Sequence, residues 1–167
     1  MEESHAAPAP PSAAPRGSWR RDLLLLALGF ALLYGPHLGR RALWSPDEGR
    51  YAEIPREMVA TGDWITPRLN GVKYFEKPPL FYWLEAGALR LFGPGEWAVR
   101  LAPALFALLG ILAVYAAGRR LFGRQAGLWA GIVLGTSPLW FGLGEAVTLD
   151  MAVSALLTGA LLAFLFA

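Results

Sequence analysis

The stretch "LAPALFALLGILAVYAA", Leu101–Ala117, contains no charged side chain. A helix needs about 20 mainly apolar residues to cross roughly 30 Å of hydrocarbon, and this stretch reaches that length, at about 97–117, with the residues before it. Three further apolar runs have a similar length, at about 23–39, 126–144 and 146–167. The sequence therefore predicts an all-α polytopic membrane protein with about four transmembrane helices.

The composition of the whole chain supports this class. Of its 167 residues, 55% are hydrophobic and only 17% are charged, so the chain is more apolar and less charged than a typical soluble domain. Its formal net charge of +2 comes without a run of Lys or Arg, and nucleic acid is not expected as a partner. Cysteine is absent, which excludes disulfides and thiolate metal sites.

The orientation follows from the loop "GRRLFGRQ" between the second and third predicted spans, which carries three arginines and no acidic residue. Such loops are typically cytoplasmic. Residues 1–18, rich in Ala, Pro and Ser, are then predicted to form a disordered cytoplasmic tail. The long segment 40–96 and the turn Glu145–Asp150 are predicted to lie outside, on the same face of the membrane.

The first part of this outer segment predicts a short juxtamembrane helix. Ser45 as N-cap and Glu48 three residues later form a capping-box pattern, which is one reading of Glu48, beside a chemical role. Pro55 predicts a kink or an end near Ile54. Asp47 recurs with three apolar or aromatic residues at helical spacing, which predicts a carboxylate on the buried face, with Arg50 as the nearest cation.

A hairpin and a second juxtamembrane helix are predicted to follow. Asn70-Gly71 is a strong two-residue turn between the arms Ile65–Leu69 and Val72–Phe75. The helix "PLFYWLEAGALRLFG" begins at Pro79 and is too short to cross a bilayer. Its aromatic run, Phe81–Trp83, suits the headgroup region.

Charged residues near the outer ends of these elements have two open interpretations. Glu76 and Lys77 are adjacent and could be an ordinary solvated ion pair. Asp150 could be an interface charge with Thr148 as a cap. However, Glu76, Lys77 and Asp150 are predicted at the same membrane face as Asp47. Carboxylates and cations beside apolar helices suit a ligand with a phosphate head and an apolar tail. These residues alone do not distinguish a transferase from a lipid-phosphate binder.

The stretch from Trp44 to Trp83 resembles the first outer loop of the 4-amino-4-deoxy-L-arabinose transferases and their relatives in the dolichyl-phosphate-mannose protein mannosyltransferase superfamily. These are membrane glycosyltransferases of the GT-C class. The resemblance covers about Leu23 to Ala167, with "DEGRYAEI", "YFEKPPL" and the later "LD" in the family's order. It implies that residues 19–167 are the N-terminal part of a GT-C transmembrane domain, because the family has many more spans.

The resemblance also implies roles for individual residues. Asp47 matches the catalytic base, and Asp150 matches a second acidic residue of the same cavity. Arg50 and Tyr51 match residues placed at the donor phosphate, and we include Glu48 with these substrate-binding candidates. In "FEKP", Lys77 matches the lysine that contacts the lipid phosphate.

Glu76 matches an acidic residue that joins a metal site in some members, so a divalent metal, completed by residues absent from this chain, is an open expectation. The implied partners are a polyprenyl phosphate sugar, a lipid or glycan acceptor such as lipid A, and membrane lipids. The implied location is the bacterial inner membrane, multi-pass, with the active face periplasmic. The competing interpretation is a non-catalytic membrane module that binds a lipid phosphate or a partner subunit.

Overall fold

The structure is a computed structural model that describes residues 17–167 and is predominantly helical. Its elements follow one another as α1 (Gly17–Tyr34), a 3-10 turn (Gly35–His37), α2 (Asp47–Thr61), β1 (Arg68–Leu69), β2 (Val72–Lys73), α3 (Leu80–Phe92), α4 (Glu96–Phe122), α5 (Arg124–Thr136), α6 (Pro138–Gly144) and α7 (Asp150–Phe166). The predicted tail, 1–18, lies almost wholly outside the described residues, and its last two residues begin α1.

Helix α4 is the one unbroken helix of the described region that is long and apolar enough to cross a membrane. The predicted third span, 126–144, is not one straight helix, because α5 and α6 meet at an angle of 64°. Pro138 lacks the N–H that would continue the helix, and Ser137 before it is extended. Helix α7 begins at Asp150 and not at 146, and it is apolar but shorter. The count of four spans stays a prediction.

Glycines on one face of α5 allow it to pack closely against α4. Gly127, Gly131 and Gly135 recur every four residues and are buried. A Cβ at Gly127 would lie 2.6 Å from the backbone nitrogen of Arg119 and 2.7 Å from the carbonyl oxygen of Tyr115. Stripes of small residues permit such close backbone approach between membrane helices. Helices α4 and α5 are therefore the most closely packed helix pair of the described fold.

Helix α2 differs from its prediction at two points. It begins at Asp47 with Pro46 as N-cap, and no side chain caps it, so the capping box led by Ser45 is wrong. It also continues through Pro55 to Thr61, so of the two outcomes predicted at Pro55, an end near Ile54 is wrong. Ile54 and Met58 on the apolar face are fully buried. This burial compensates for the one helical hydrogen bond that Pro55 cannot form.

The hairpin turn and helix α3 lie where the sequence predicts them. Asn70 and Gly71 both have positive φ, 53° and 79°, as a type I′ turn requires. The strands are only two residues each. At the start of the first predicted arm, the N–H groups of Ile65 and Thr66 donate to the Asp63 carboxylate instead of a partner strand. In α3, Phe81 and Tyr82 are buried in the core, so of the aromatic run only Trp83 could face headgroups.

Two clusters of buried charge lie at opposite ends of α4. At its C-terminal end, Asp22 of α1 accepts hydrogen bonds from Tyr115, Arg119 and Arg124. The arginine-rich loop therefore meets an acidic partner from α1 that lies far away in the sequence. At the N-terminal end, Arg100 contacts the outer segment. Helix α4 thus contributes an arginine to a buried ionic cluster at each of its ends.

Candidate active site

The carboxylate of Glu48 joins three separate parts of the chain. It is 3% exposed and accepts hydrogen bonds from the guanidinium of Arg41, 3.0 Å, and from the backbone N–H of Trp44, 2.7 Å. It also accepts from the N–H of Val147, 2.9 Å, in the turn between α6 and α7, and from Arg100 of α4, 3.4 Å. The structure thus brings the outer segment and the later turn together, as predicted.

These donors keep Glu48 ionised. Burial by itself raises the pKa of a carboxyl group, but the hydrogen bonds from Arg41, Trp44, Val147 and Arg100 outweigh it and lower the pKa of Glu48 below its ordinary value. The group is therefore a buried anion whose charge is compensated by two arginines and two backbone amides. Both of its oxygens accept hydrogen bonds from protein donors.

Asp47, one residue earlier, is in the opposite situation. Its side chain is 63% exposed and forms an ion pair with Arg50, 2.6 Å. The predicted helical face is indeed buried at Tyr51 and Ile54, but Asp47 is the first residue of α2 and extends beyond the packed layer, so its predicted burial is wrong. Asp47 borders an open cavity of about 400 Å³. The cavity is lined by Trp44, Ser45, Pro46, Asp47, Glu48, Ala146 and Thr148.

Arg50 and Tyr51 lie beside the segment that follows the hairpin. The Arg50 guanidinium is 5.4 Å from the centre of the Tyr51 ring. The Tyr74 hydroxyl donates a hydrogen bond to Glu76, 2.8 Å. Although burial opposes the charge of Arg50, its neighbours Tyr74, Tyr51, Asp47 and Glu76 raise its pKa. Arg50, Tyr51 and Glu76 of the prediction are therefore one cluster.

Lys77 and Asp150 are exposed, and neither forms a hydrogen bond or ion pair with another residue of the described part of the chain. Glu76 bonds to Tyr74 and not to Lys77, so the ordinary ion pair is wrong. The Thr148 hydroxyl is buried, has no hydrogen-bond partner among residues 17–167 and does not cap α7. Lys77 and Asp150 thus keep their charges available to a ligand.

A complete metal site is not present in the described region. Among residues 17–167, no group of three or more His, Cys, Asp or Glu side chains could hold a metal ion. Glu76 could supply one carboxylate ligand, and its nearest partners are a tyrosine hydroxyl and a cation. The residues present therefore do not fit a divalent metal by themselves.

Sequence reasoning missed Arg41 and Arg100. Arg100 is fully buried, and its guanidinium donates to the carbonyl oxygens of Leu38, 2.9 Å, Arg41, 2.8 Å, and Ala42, 3.2 Å. A signal was available, because a charge just inside a long apolar helix is costly unless it has partners.

Comparison with known proteins defines the class. Residues 76–167, more than half of the chain, match the family described as dolichyl-phosphate-mannose-protein mannosyltransferase. The chain belongs to this family.

Within this class the chain is similar to a particular group of transferases. It is 43% identical over 140 residues to the undecaprenyl phosphate-alpha-4-amino-4-deoxy-L-arabinose arabinosyl transferase of Edwardsiella ictaluri, an alignment that covers 83% of this chain and 25% of the relative. It is also 43% identical over 155 residues to arabinosyl transferase 1 of Sodalis glossinidius, covering 90% and 27%. The chain thus spans about a quarter of the length of these curated relatives.

A solved structure of the same group has a similar fold. The crystal structure of ArnT from Cupriavidus metallidurans bound to undecaprenyl phosphate matches 89% of this chain and 27% of that protein, with 42% identity and a TM-score of 0.79. The apo crystal structure of the same protein gives a TM-score of 0.78. The fold described above is therefore similar to one part of this larger protein.

Proposed function

We propose that the chain is the N-terminal part of a glycosyltransferase of the bacterial inner membrane that transfers a sugar from a polyprenyl phosphate to an envelope acceptor such as lipid A. The observation that carries this proposal is the structural similarity, over most of the chain, to a transferase bound to undecaprenyl phosphate. The relatives' names, which specify an undecaprenyl phosphate sugar and an arabinosyl transfer, support it.

The geometry supports a displacement at the anomeric carbon of the donor sugar. An acceptor oxygen forms a new bond to this carbon, and the bond from the carbon to the phosphate oxygen breaks, with inversion. Asp47, exposed at a cavity, takes the proton of an acceptor hydroxyl as general base. Asp150 is the second catalytic carboxylate of this proposal. The polyprenyl phosphate leaves with the bonding electron pair.

The cations of the site suit the leaving phosphate. Lys77 has no protein partner in the described region, and Arg50 lies one helical turn after Asp47. Positive groups aimed at a phosphate stabilise the charge that develops as it leaves. Tyr51 and Glu76 complete the cluster around Arg50, and Glu76 would be one ligand of a metal if residues outside this chain supplied the others.

An apolar groove gives the lipid tail a place beside this cluster. It lies between α3 and α4, has a volume of about 520 Å³ and begins at Leu80, three residues after Lys77. Its walls are almost entirely aliphatic and aromatic, which suits a hydrocarbon chain. One ligand can thus place its phosphate at Lys77 and its apolar tail along α3.

The test is transfer of a labelled sugar from polyprenyl phosphate donors to a panel of envelope lipids. It uses membranes that contain the protein encoded by the complete reading frame around these residues. Asp47→Asn and Lys77→Ala are expected to lower transfer by at least about 100-fold, with unchanged protein levels. Glu53→Gln in the same helix and Lys73→Ala in the hairpin are the matched controls. Wild-type rates for Asp47→Asn would contradict the proposal.

The same experiment addresses a second function, suggested by the exposed cation beside an apolar groove. A non-catalytic module would bind the lipid phosphate through Lys77 without transferring any sugar. Saturable binding of undecaprenyl phosphate by wild type, reduced in Lys77→Ala, together with no transfer to any acceptor, would favour this function.

A further inference from the structure

We infer that Glu48 and Arg100 are positioning residues that fix Asp47 relative to Asp150, and that Glu48 does not bind substrate. This inference rests on the proposed function and deepens it, because it concerns what fixes the separation between the two catalytic carboxylates. Five hydrogen bonds to Glu48 and three from Arg100 to backbone carbonyls carry the argument.

Arg100 holds the segment that leads into α2. Its guanidinium donates to three backbone carbonyls within residues 38–42 and to the Glu48 carboxylate. The side chain is fully buried near the start of α4. A planar guanidinium has donors in fixed directions, so contacts from one guanidinium fix the acceptors relative to one another. The first turn of α2 is thereby attached to the long helix.

Glu48 connects the first turn of α2 to the later turn between α6 and α7. One of its oxygens accepts from the Val147 N–H, three residues before Asp150. Arg41 strengthens the same junction, since it donates both to Glu48 and to the carbonyl oxygen of Glu145, 3.2 Å. Asp47 is covalently adjacent to Glu48. Displacement of the carboxylate would therefore change the separation of Asp47 from the turn that leads to Asp150.

The geometry argues against contact between Glu48 and a ligand. One oxygen accepts from Arg41, Trp44 and Arg100, and the other accepts from Arg41 and Val147. The residue is 3% exposed, so a ligand would have to displace these donors. Asp47, which is exposed at the same cavity, is the carboxylate that a ligand meets.

A positioning role predicts a particular kinetic result. In Glu48→Gln an amide N–H₂ replaces one acceptor oxygen and meets a donor, and in Arg100→Lys a single ammonium cannot reach all the acceptors. Both changes are expected to lower kcat by about 10- to 100-fold, because misplacement of a reacting group by about 1 Å costs that much. The KM for the polyprenyl phosphate sugar is expected to stay within about twofold.

The experiment measures kcat, KM and the pH profile of the complete protein for both variants, with Arg90→Lys on the exposed end of α3 as the matched control. The apparent pKa values of the kcat/KM profile are expected to be unchanged, because Glu48 exchanges no proton with the substrate. A raised KM at normal kcat, or a loss of one limb of the pH profile, would overturn the inference. If the wild type transfers no sugar, the proposed function fails instead.

A second measurement does not depend on activity. Residues 1–167 contain no cysteine. In the complete protein, with any cysteine elsewhere replaced by Ser, Ser45→Cys and Ala146→Cys place one thiol on each side of the cavity that both residues line. A short bifunctional thiol reagent is expected to cross-link this pair at least about fivefold more slowly when Arg100→Lys is added. An equal cross-linking rate in both backgrounds would show that Arg100 does not set the separation.

Discussion

At the scale of single residues, Glu85 shows how strongly burial alone can act on a carboxyl group. It lies on the buried face of α3, fully enclosed, and neither of its oxygens has a hydrogen-bond partner within the described chain. Burial raises its pKa well above the ordinary value of 4.5, so the group is held neutral. Glu48 is also buried, but it accepts hydrogen bonds from four residues, and these outweigh the effect of its burial and lower its pKa.

The neutral Glu85 predicts a pH dependence of stability. The folded state holds this proton more tightly than the unfolded state, so stability is lost as the pH rises above about 4.5 toward the folded-state pKa. The loss is up to about 1.4 kcal/mol for each pH unit. Glu85→Gln stays neutral and is expected to be the more stable protein at about pH 8 and equal near pH 5. Thermal unfolding in detergent micelles, followed by tryptophan fluorescence, measures this difference.

Glu57→Gln is the control for this prediction, since Glu57 lies in the neighbouring helix and is partly exposed. Parallel pH curves for wild type and Glu85→Gln would mean that Glu85 is ionised in the folded protein, against the description of its surroundings.

At the scale of secondary-structure elements, the contact between α4 and α5 depends on the absence of side chains at the glycine stripe. Gly127→Ala places a methyl group against the backbone of Arg119 and Tyr115. Backbone cannot move aside as a flexible side chain can, so we expect a loss of about 1–3 kcal/mol in stability, measured as a lower midpoint of thermal unfolding. Gly29→Ala in α1 meets nothing within 4 Å and is expected to leave the midpoint unchanged. Equal midpoints for the two variants would contradict the packing.

The elements that could be predicted from the sequence are those governed by local signals. The Asn70-Gly71 turn needs only two residues with positive φ, and α3 ends at Gly93, before a proline. The failures at Pro55 and in the third span have non-local or overlooked causes. The tertiary burial of Ile54 carries α2 past Pro55, and Pro138 divides a run whose apolar composition is continuous.

Some residues of the candidate site could likewise be identified from local sequence signals, and others could not. The resemblance selects Asp47, Arg50 and Glu76 from the sequence, and their roles stay predictions. The contacts of Glu48 could not be predicted, because its partners Arg100 and Val147 are 52 and 99 residues away in the chain. The pair "DE" does not indicate which carboxylate is buried and which is exposed. In the structure, Glu48 is buried with distant donors and Asp47 is exposed at a cavity.

At the scale of the whole molecule, α4 connects two buried ionic clusters. Arg100 and Arg119 are nineteen residues apart on it, which corresponds to roughly 28 Å along the helix axis. That distance is close to the hydrocarbon thickness of a bilayer. The Glu48 cluster and the Asp22 cluster would therefore lie at opposite membrane surfaces, which agrees with the predicted placement of the arginine loop inside and the site outside.

The most direct test of this arrangement is the accessibility of single cysteines to a membrane-impermeant thiol reagent. Lys77→Cys, Asp150→Cys and, in the arginine loop, Gln125→Cys are introduced one at a time into the complete protein. Residues 1–167 contain no cysteine, and any cysteine elsewhere in the complete protein is first replaced by Ser. We predict that positions 77 and 150 react in intact spheroplasts and that position 125 reacts only after permeabilisation. Reaction of positions 77 and 150 from opposite sides of the membrane would contradict a shared site.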